Sequence, residues 1–425
     1  MRGEGRRIPP HGQGSASTVK IGFVTQWYPP ETGTAVPRAI AQGLGILGHE
    51  VHVLTGIPNY PAGRVYEGYR VRPYSSELDG DVTVHRAPLY PDHSRSSARR
   101  MVNYLSFAVG ASAVSLTTRF PTPEVWLTYS SPATAALPAM LPRRRQRPHA
   151  MIIQDLWPDS VLGSAMATGF VTRALGRPLA ALSHATYRSA DSIGVISPGM
   201  RDVLVGRGIQ PDRILDTPNW VADQHTPSDD RQDLRHRLQL RDESKVFLYA
   251  GNFGEMQSLT TLIQAFDEAS HADLVLIGDG MMRAEVERVA ATRPNVHVLP
   301  PVPADDVPTL QAAADVLVVS LQDTPLMRVT MPSKLQSSMA AGKPILVQGA
   351  GDVAAVVERA RCGAAGPPGS TELRRAVQGL ASAEASALGE MARRARDWYE
   401  AHYSAASGAA RVENLLIHAI EEHTR

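Results

Sequence analysis

The chain has 425 residues, 43% of them hydrophobic, and a formal net charge of +1. That length exceeds what one ordinary core organises and favours two domains, while the balanced charge removes the electrostatic argument for a nucleic-acid partner. A single cysteine, Cys362, excludes an internal disulfide framework and a multi-cysteine zinc site, and points to a reducing cytosol.

Residues 1–19 are basic and rich in Gly, Pro and Ser, without the apolar centre of a signal peptide, and read as a disordered tail. No run approaches the ~20 apolar residues of a spanning helix, so a cytoplasmic protein is expected. From Lys20 the apolar strand KIGFV breaks into the loop TQWYPPETGTAVPR, followed by a helical stretch and a second strand, EVHVLTG. Strand, loop, helix and parallel strand make a βαβ unit. Further strands are expected at VTVHRAP, EVWLTYS, AMIIQDL and DSIGVIS, which completes a first domain over residues 20–221. Between the second and third of these, RRRQR (143–147) reads as a solvated loop or as a contact with an anionic membrane face. The polar stretch 222–244 is the linker, and the pattern then restarts with KVFLYAGNFG, ADLVLIGDGM, NVHVLPP, ADVLVVS and PILVQG, giving a second domain over 245–395. Residues 396–425 have helical spacing of apolar and aromatic residues. The fold class is thus α/β, two facing doubly wound, Rossmann-like domains, with ligands expected at the carboxyl ends of the strands.

The loops at those ends hold the candidate site residues. Gly251 and Gly254 follow a strand and precede a helix, where backbone amides can approach an anion, and Gly278 with Gly280 repeats the form. Gly33 and Thr34 stand at the corresponding point of the first domain. Asp155 and His85 close two buried strands and are candidates for acid–base work or for holding a sugar hydroxyl; helix capping and a structural histidine are the alternatives. Asn219 and Trp220 lie where the first domain hands over to the second. In TPLMRVTMPSKLQSSMAAGKP, Pro332 suits a helix start, Ser333 and Lys334 occupy its first turn, and Gly342 with Pro344 stops it. Unpaired amides, helix dipole and a lysine together suit a diphosphate.

These residues resemble the retaining glycosyltransferases of family 4, of GT-B architecture, and within them the bacterial transferases of O-antigen, capsule and colanic-acid assembly. The resemblance rests on QWYPPETGTAVPR, LGHEVHVLTGIPNYP, QDLWPDS, TPNWVAD, AGNFGEMQSLTTLIQAF, GDG and PSKLQSSMAAGKP, in that order. It implies a C-terminal helix crossing back to the first domain, and transfer of a hexosyl group from a nucleoside diphosphate sugar to an acceptor hydroxyl, without metal or other cofactor. The acceptor would be polyprenyl-linked or a small molecule, with the protein in the cytoplasm or at the inner face of the cell membrane. Lys334, Ser333, Gly254, Gly33 and Thr34 would face the donor diphosphate. Asn252, Gln257, Gly278, Gly280 and Ser337 would face the nucleotide or sugar, and Asp155 and His85 the reacting centre. The chain departs from the family where two glutamates are usual, at Val329 and Ser337, and where a basic pair is usual, at Asn252 and Gln257. A nucleotide-sugar 2-epimerase of the same architecture and a non-catalytic binding partner are the competing readings.

Overall fold

The computed structural model describes residues 18–94, 96–141, 146–157, 159, 169–223, 240, 244–267 and 271–425. Nearly all of the expected tail, most of the expected linker, and 143–145 of the basic run lie outside the described residues. The first domain is built on an eight-stranded sheet of order β3-β4-β2-β1-β5-β6-β7-β8. Its strands are β1 (Lys20–Val24), β2 (Glu50–Gly56), β3 (Ser75–Asp79), β4 (Val82–Ala87), β5 (Val125–Ser130), β6 (His149–Ile153), β7 (Ser192–Val195) and β8 (Ile214–Asp216). Only β3, a polar edge strand, runs antiparallel, so the other seven present their carboxyl ends on one side. The second domain has a parallel six-stranded sheet of order β11-β10-β9-β12-β13-β14. Here β9 is Lys245–Ala250, β10 Ala272–Ile277, β11 Val296–Leu299, β12 Val316–Ser320, β13 Ile345–Gln348 and β14 Gly363–Gly366.

Strand order reverses between β1 and β5 in one sheet and between β9 and β12 in the other. At such a switch point neighbouring connections depart to opposite faces and leave a crevice. The loops that open there are 25–34, 251–258 and 321–332, so the topology explains why polar, Gly-rich sequence collects in those segments.

The last two helices divide their allegiance. Ala385–His402 packs on the second domain, where Ala395 and Tyr399 join the core around Val347 and Val353. Ala405–His423 packs on the first, and its Val412, Leu415, Leu416 and Ala419 are buried with Ile21, Phe23 and Ile152. Gly408 admits the ring of Trp220, because a Cβ there would strike the indole.

Candidate active site

The segment Leu321–Pro332 leaves β12, and Pro332 serves as the N-cap of the helix Ser333–Ala340 without a side-chain capping bond. The Leu335 amide donates to Pro332 O (3.0 Å), which leaves the Ser333 and Lys334 amides ahead of it to an outside partner. Lys334 extends from this turn to the backbone of Gly251, where a Cβ would meet its Cε at 2.6 Å. Its ammonium lies 5.1 Å from the centroid of the Tyr249 ring. Among the described residues it has no carboxylate or hydrogen-bond partner, and burial lowers its pKa. A desolvated cation without a counter-ion is unfavourable unless an anion completes the site. Lys343, beyond the other end of this helix, shows the contrast: its ammonium donates to the carbonyls of Ala312 (2.5 Å) and Ala314 (2.8 Å) and is structural.

The loop after β9 is held firmly against its neighbours. The Gly251 amide donates to Ile277 O (2.8 Å) and that of Phe253 to Asp279 O (2.7 Å). Gly278 and Gly280 have φ of 151° and 157°, and a Cβ on Gly280 would lie 2.5 Å from Phe253 O. These two glycines bring the β10 loop against the β9 loop. Gln257 Oε1 accepts the Gly254 amide (3.1 Å), so at this position a neutral amide braces the turn, and Asn252 Nδ2 points to the same oxygen at 3.4 Å. Ser337 Oγ donates to Lys334 O (3.1 Å), and Ser333 is exposed at the helix start.

On the first-domain side, Asp155 follows β6. Its Oδ2 accepts from Ser131 Oγ (2.7 Å), and crowding by the surrounding protein raises its pKa although the residue remains open to solvent. Its neighbour Gln154 exchanges two hydrogen bonds with Asn219 (2.6 and 3.0 Å), and Asn219 O accepts from Gln336 Nε2 (2.9 Å). This chain of amides runs from the strand end that carries Asp155 to the helix that carries Lys334. Between the domains, Leu156, Met256, Thr324, Leu326 and Val329 line a mainly apolar cavity of about 520 Å³. Val329, which stands where the resemblance led us to look for a carboxylate, packs on Gly199, and its carbonyl accepts from Ser197 Oγ (2.7 Å).

Gly33 has φ 76° and is exposed, whereas Thr34 is buried with its hydroxyl on Glu31 O (2.6 Å). Residues that sequence reasoning passed over hold this loop. Buried Glu31 accepts from the amides of Asn59 and Tyr60 (2.8 Å each) and of Tyr28 (3.2 Å). Arg86 ties Pro29 O (2.5 Å) and Gly56 O (3.1 Å) to Glu77. Trp27, Tyr60, Tyr104 and Trp157 form a run of ring contacts 5.5 to 6.1 Å apart. Trp157, at one end of this run, stands two residues after Asp155, so the aromatic run leads toward that carboxylate. The PPETGT motif contains Glu31, but nothing in it singles this residue out, since the partners of two of its three bonds lie 28 or more residues away.

His85 does not join this assembly. It lies in register with Leu54 and Val24 inside the sheet, 4% exposed, with Nε2 against His52 (3.1 Å) and Nδ1 against Tyr74 OH (3.0 Å). Strand β4 runs on to Ala87, so His85 falls before the carboxyl end and points to the face covered by Phe120.

Two family profiles match the chain: one described as "Glycosyl transferase 4-like domain" over residues 32–220, and one described as "Glycosyl transferases group 1" over 244–383. The chain is 32% identical over 327 residues, 73% of this chain and 77% of the other, to a protein of Escherichia coli (strain K12) designated colanic acid biosynthesis glycosyl transferase WcaI. Among solved structures it is similar to Anabaena Alr3699/HepE in complex with UDP (TM-score 0.63, 14% identity, 94% of this chain and 99% of that one). It is also similar to the catalytic domain of starch synthase IV from Arabidopsis thaliana bound to ADP and acarbose (TM-score 0.69, 13% identity, 95% and 100%).

Proposed function

Because the chain belongs to the family 4 glycosyltransferases of GT-B fold, we propose that it moves a hexosyl group from a nucleoside diphosphate sugar to an acceptor hydroxyl, with retention at the anomeric carbon. The products would serve cell-surface polysaccharide or glycosylated-metabolite assembly. The observation that carries this reading is Lys334, a desolvated ammonium without a partner among the described residues, beside free helix amides and against Gly251. The UDP and ADP in the similar structures support a nucleotide donor. In the proposed reaction the bond from the anomeric carbon to the diphosphate oxygen breaks as the acceptor oxygen bonds to that carbon on the same face, and the acceptor proton passes to the departing phosphate. Lys334, Ser333 and the helix amides stabilise the charge that develops on the leaving group. Gly251 and Gly254 let backbone approach it, and Gly33 faces the same junction from the first domain. Asp155, beside the aromatic run, accepts a hydrogen bond from a reacting or adjacent sugar hydroxyl. His85 is assigned no contact with substrate.

A peripheral contact with the inner membrane face is proposed for the first domain. The helix Ser97–Ser115 contains no acidic residue and exposes Val102, Leu105 and Val109 along one side, which is the composition of an interfacial helix. No helix among the described residues is long and apolar enough to cross a membrane.

Titration calorimetry tests the donor site. Lys334→Ala should weaken nucleoside diphosphate binding ~10- to 150-fold, the loss of one charge-assisted interaction, and weaken nucleoside monophosphate binding much less. Equal losses for both ligands would indicate general damage, and no loss would remove Lys334 from the site. Turnover of sugar nucleotide with and without acceptor separates transfer from epimerisation.

A further inference from the structure

A second cavity, of about 260 Å³, lies where both domains meet the C-terminal helices. Ser197 and Asp216 line it from the first domain, Arg359 from the second, and Trp398, His402 and Arg411 from the helix pair. At ~30 Å³ per water it has room for roughly eight waters, enough for a phosphate group with a small substituent.

Its charges are unbalanced. Arg411 makes no hydrogen bond or ion pair among the described residues, and Arg359 donates only from Nε to Ala355 O of its own helix (3.3 Å). By contrast, the arginines of the intervening helix Ala385–His402 are satisfied: Arg393, Arg394 and Arg396 all reach carboxylates. The carboxylate on the cavity wall, Asp216, is engaged by Arg201 at 3.1 Å. The imidazole of His402 stacks on Trp398 (4.3 Å between centroids), with Nδ1 donating to Trp398 O at 3.1 Å, which turns Nε2 away from that bond. Burial, then the charges of Arg411 and Arg359, lower the pKa of His402, so both guanidiniums act on one point.

We propose that this cavity is a binding site for a phosphate-class anion, inorganic phosphate or a small phosphate monoester, clasped by Arg359 and Arg411. Planar guanidiniums from two separate helices suit the tetrahedral oxygens of such a ligand. An anion held there would tie the second domain, through Arg359, to the helix that packs on the first, through Arg411. The site is separate from the donor site and does not depend on the transferase reading.

Trp398 supplies the signal. Inorganic phosphate, titrated into the full chain while tryptophan emission is read against Trp398→Phe, should give a saturable change. It should persist in Lys334→Ala and weaken ~10-fold or more in Arg359→Gln and in Arg411→Gln. Neither arginine packs into a core, and an unchanged melting temperature for the two variants would show that the fold is kept. Methyl phosphate in place of phosphate tells whether the cavity accepts an ester. A change lost in Lys334→Ala but kept in Arg411→Gln would place the ion in the cleft and overturn the proposal. So would a non-saturating change that chloride reproduces, the mark of an adventitious ion only, or no change at all in the wild type.

Discussion

Two titratable side chains, one in the cleft and one in the core, give opposite readings of the same physics. Asp155 is open to the cleft yet crowded, and its raised pKa means that it takes up a proton at higher pH than an ordinary aspartate. As an acceptor for a sugar hydroxyl the ionised form is the stronger, because its hydrogen bond is charge-assisted. Turnover should then fall on the acid side earlier than usual, and Asp155→Asn should lower turnover ~10²- to 10⁴-fold while donor binding and thermal stability stay near wild type. A pH–rate profile with its acid limb intact in the variant would return Asp155 to a local structural role. His149 is in the core, bonded to Thr128 at 2.9 Å, and burial holds its pKa at about 4 against an ordinary 6.5. The unfolded chain therefore binds this proton first. The stability that His149 contributes is present above about pH 6.5 and is lost as pH falls toward 4. His85 repeats the case, with burial again the main cause and His52 the lesser. Urea unfolding should show the folded state weaker at pH 5 than at pH 7 by about 2 kcal/mol for each of the two. His149→Gln should remove about half of that slope, and an unchanged slope would show that other groups set it.

Glycines distinguish the loops that build the cleft from the helices that merely enclose it. Gly280 has a left-handed φ and faces Phe253 O, so Gly280→Ala should destabilise by roughly 2 kcal/mol or more through strain and overlap. Gly379 is an exposed helix residue with open space around it, and Gly379→Ala should stabilise by ~0.5–1 kcal/mol. Denaturant midpoints of the two variants should move in opposite directions. The same distinction explains what could be read beforehand. Strands β1, β2, β9, β10, β12 and β13 are apolar runs that end in Gly or polar turns, and they stand close to where their sequences put them. Strand β3, SSELD, was not anticipated because an edge strand needs no apolar alternation, and β14, GAAG, because it has almost no side chain to show a period. At the site, Lys334 and Asp155 were legible as polar residues next to buried strands. Glu31 and Arg86 were not, because their role is to join segments distant in the chain: Arg86 reaches Pro29 across 57 positions. His85 falls two residues before the end of β4, a placement that the motif could not show because it marked a strand but not on which residue it would end.

At the scale of the whole molecule, the two domains are joined twice. The chain leaves the first at Pro218–Val221 and returns at Tyr403–Ser404, and the two passages touch, with Tyr399 OH donating to Val221 O at 2.9 Å. The returning helix is part of the first domain's core. A chain ended after Ser404 would lose the burial of Val412, Leu415 and Leu416, ~5–9 kcal/mol at 1.5–3 kcal/mol per side chain, which is comparable to the stability of a whole domain. Hydrogen exchange should then find β1, β5 and β6 unprotected while β9, β12 and β13 keep their protection; equal protection in the first sheet would make the helix an appendage. This arrangement also sets an order of events during synthesis. The ribosome finishes the first domain's strands some two hundred residues before it makes Val412, so the half that is translated first is completed last. Until then its apolar faces, the ones later covered by Leu415 and Ala419, stand open as a surface for chaperones, and the second domain, whose own helices are already in hand, becomes the scaffold from which the earlier half is closed.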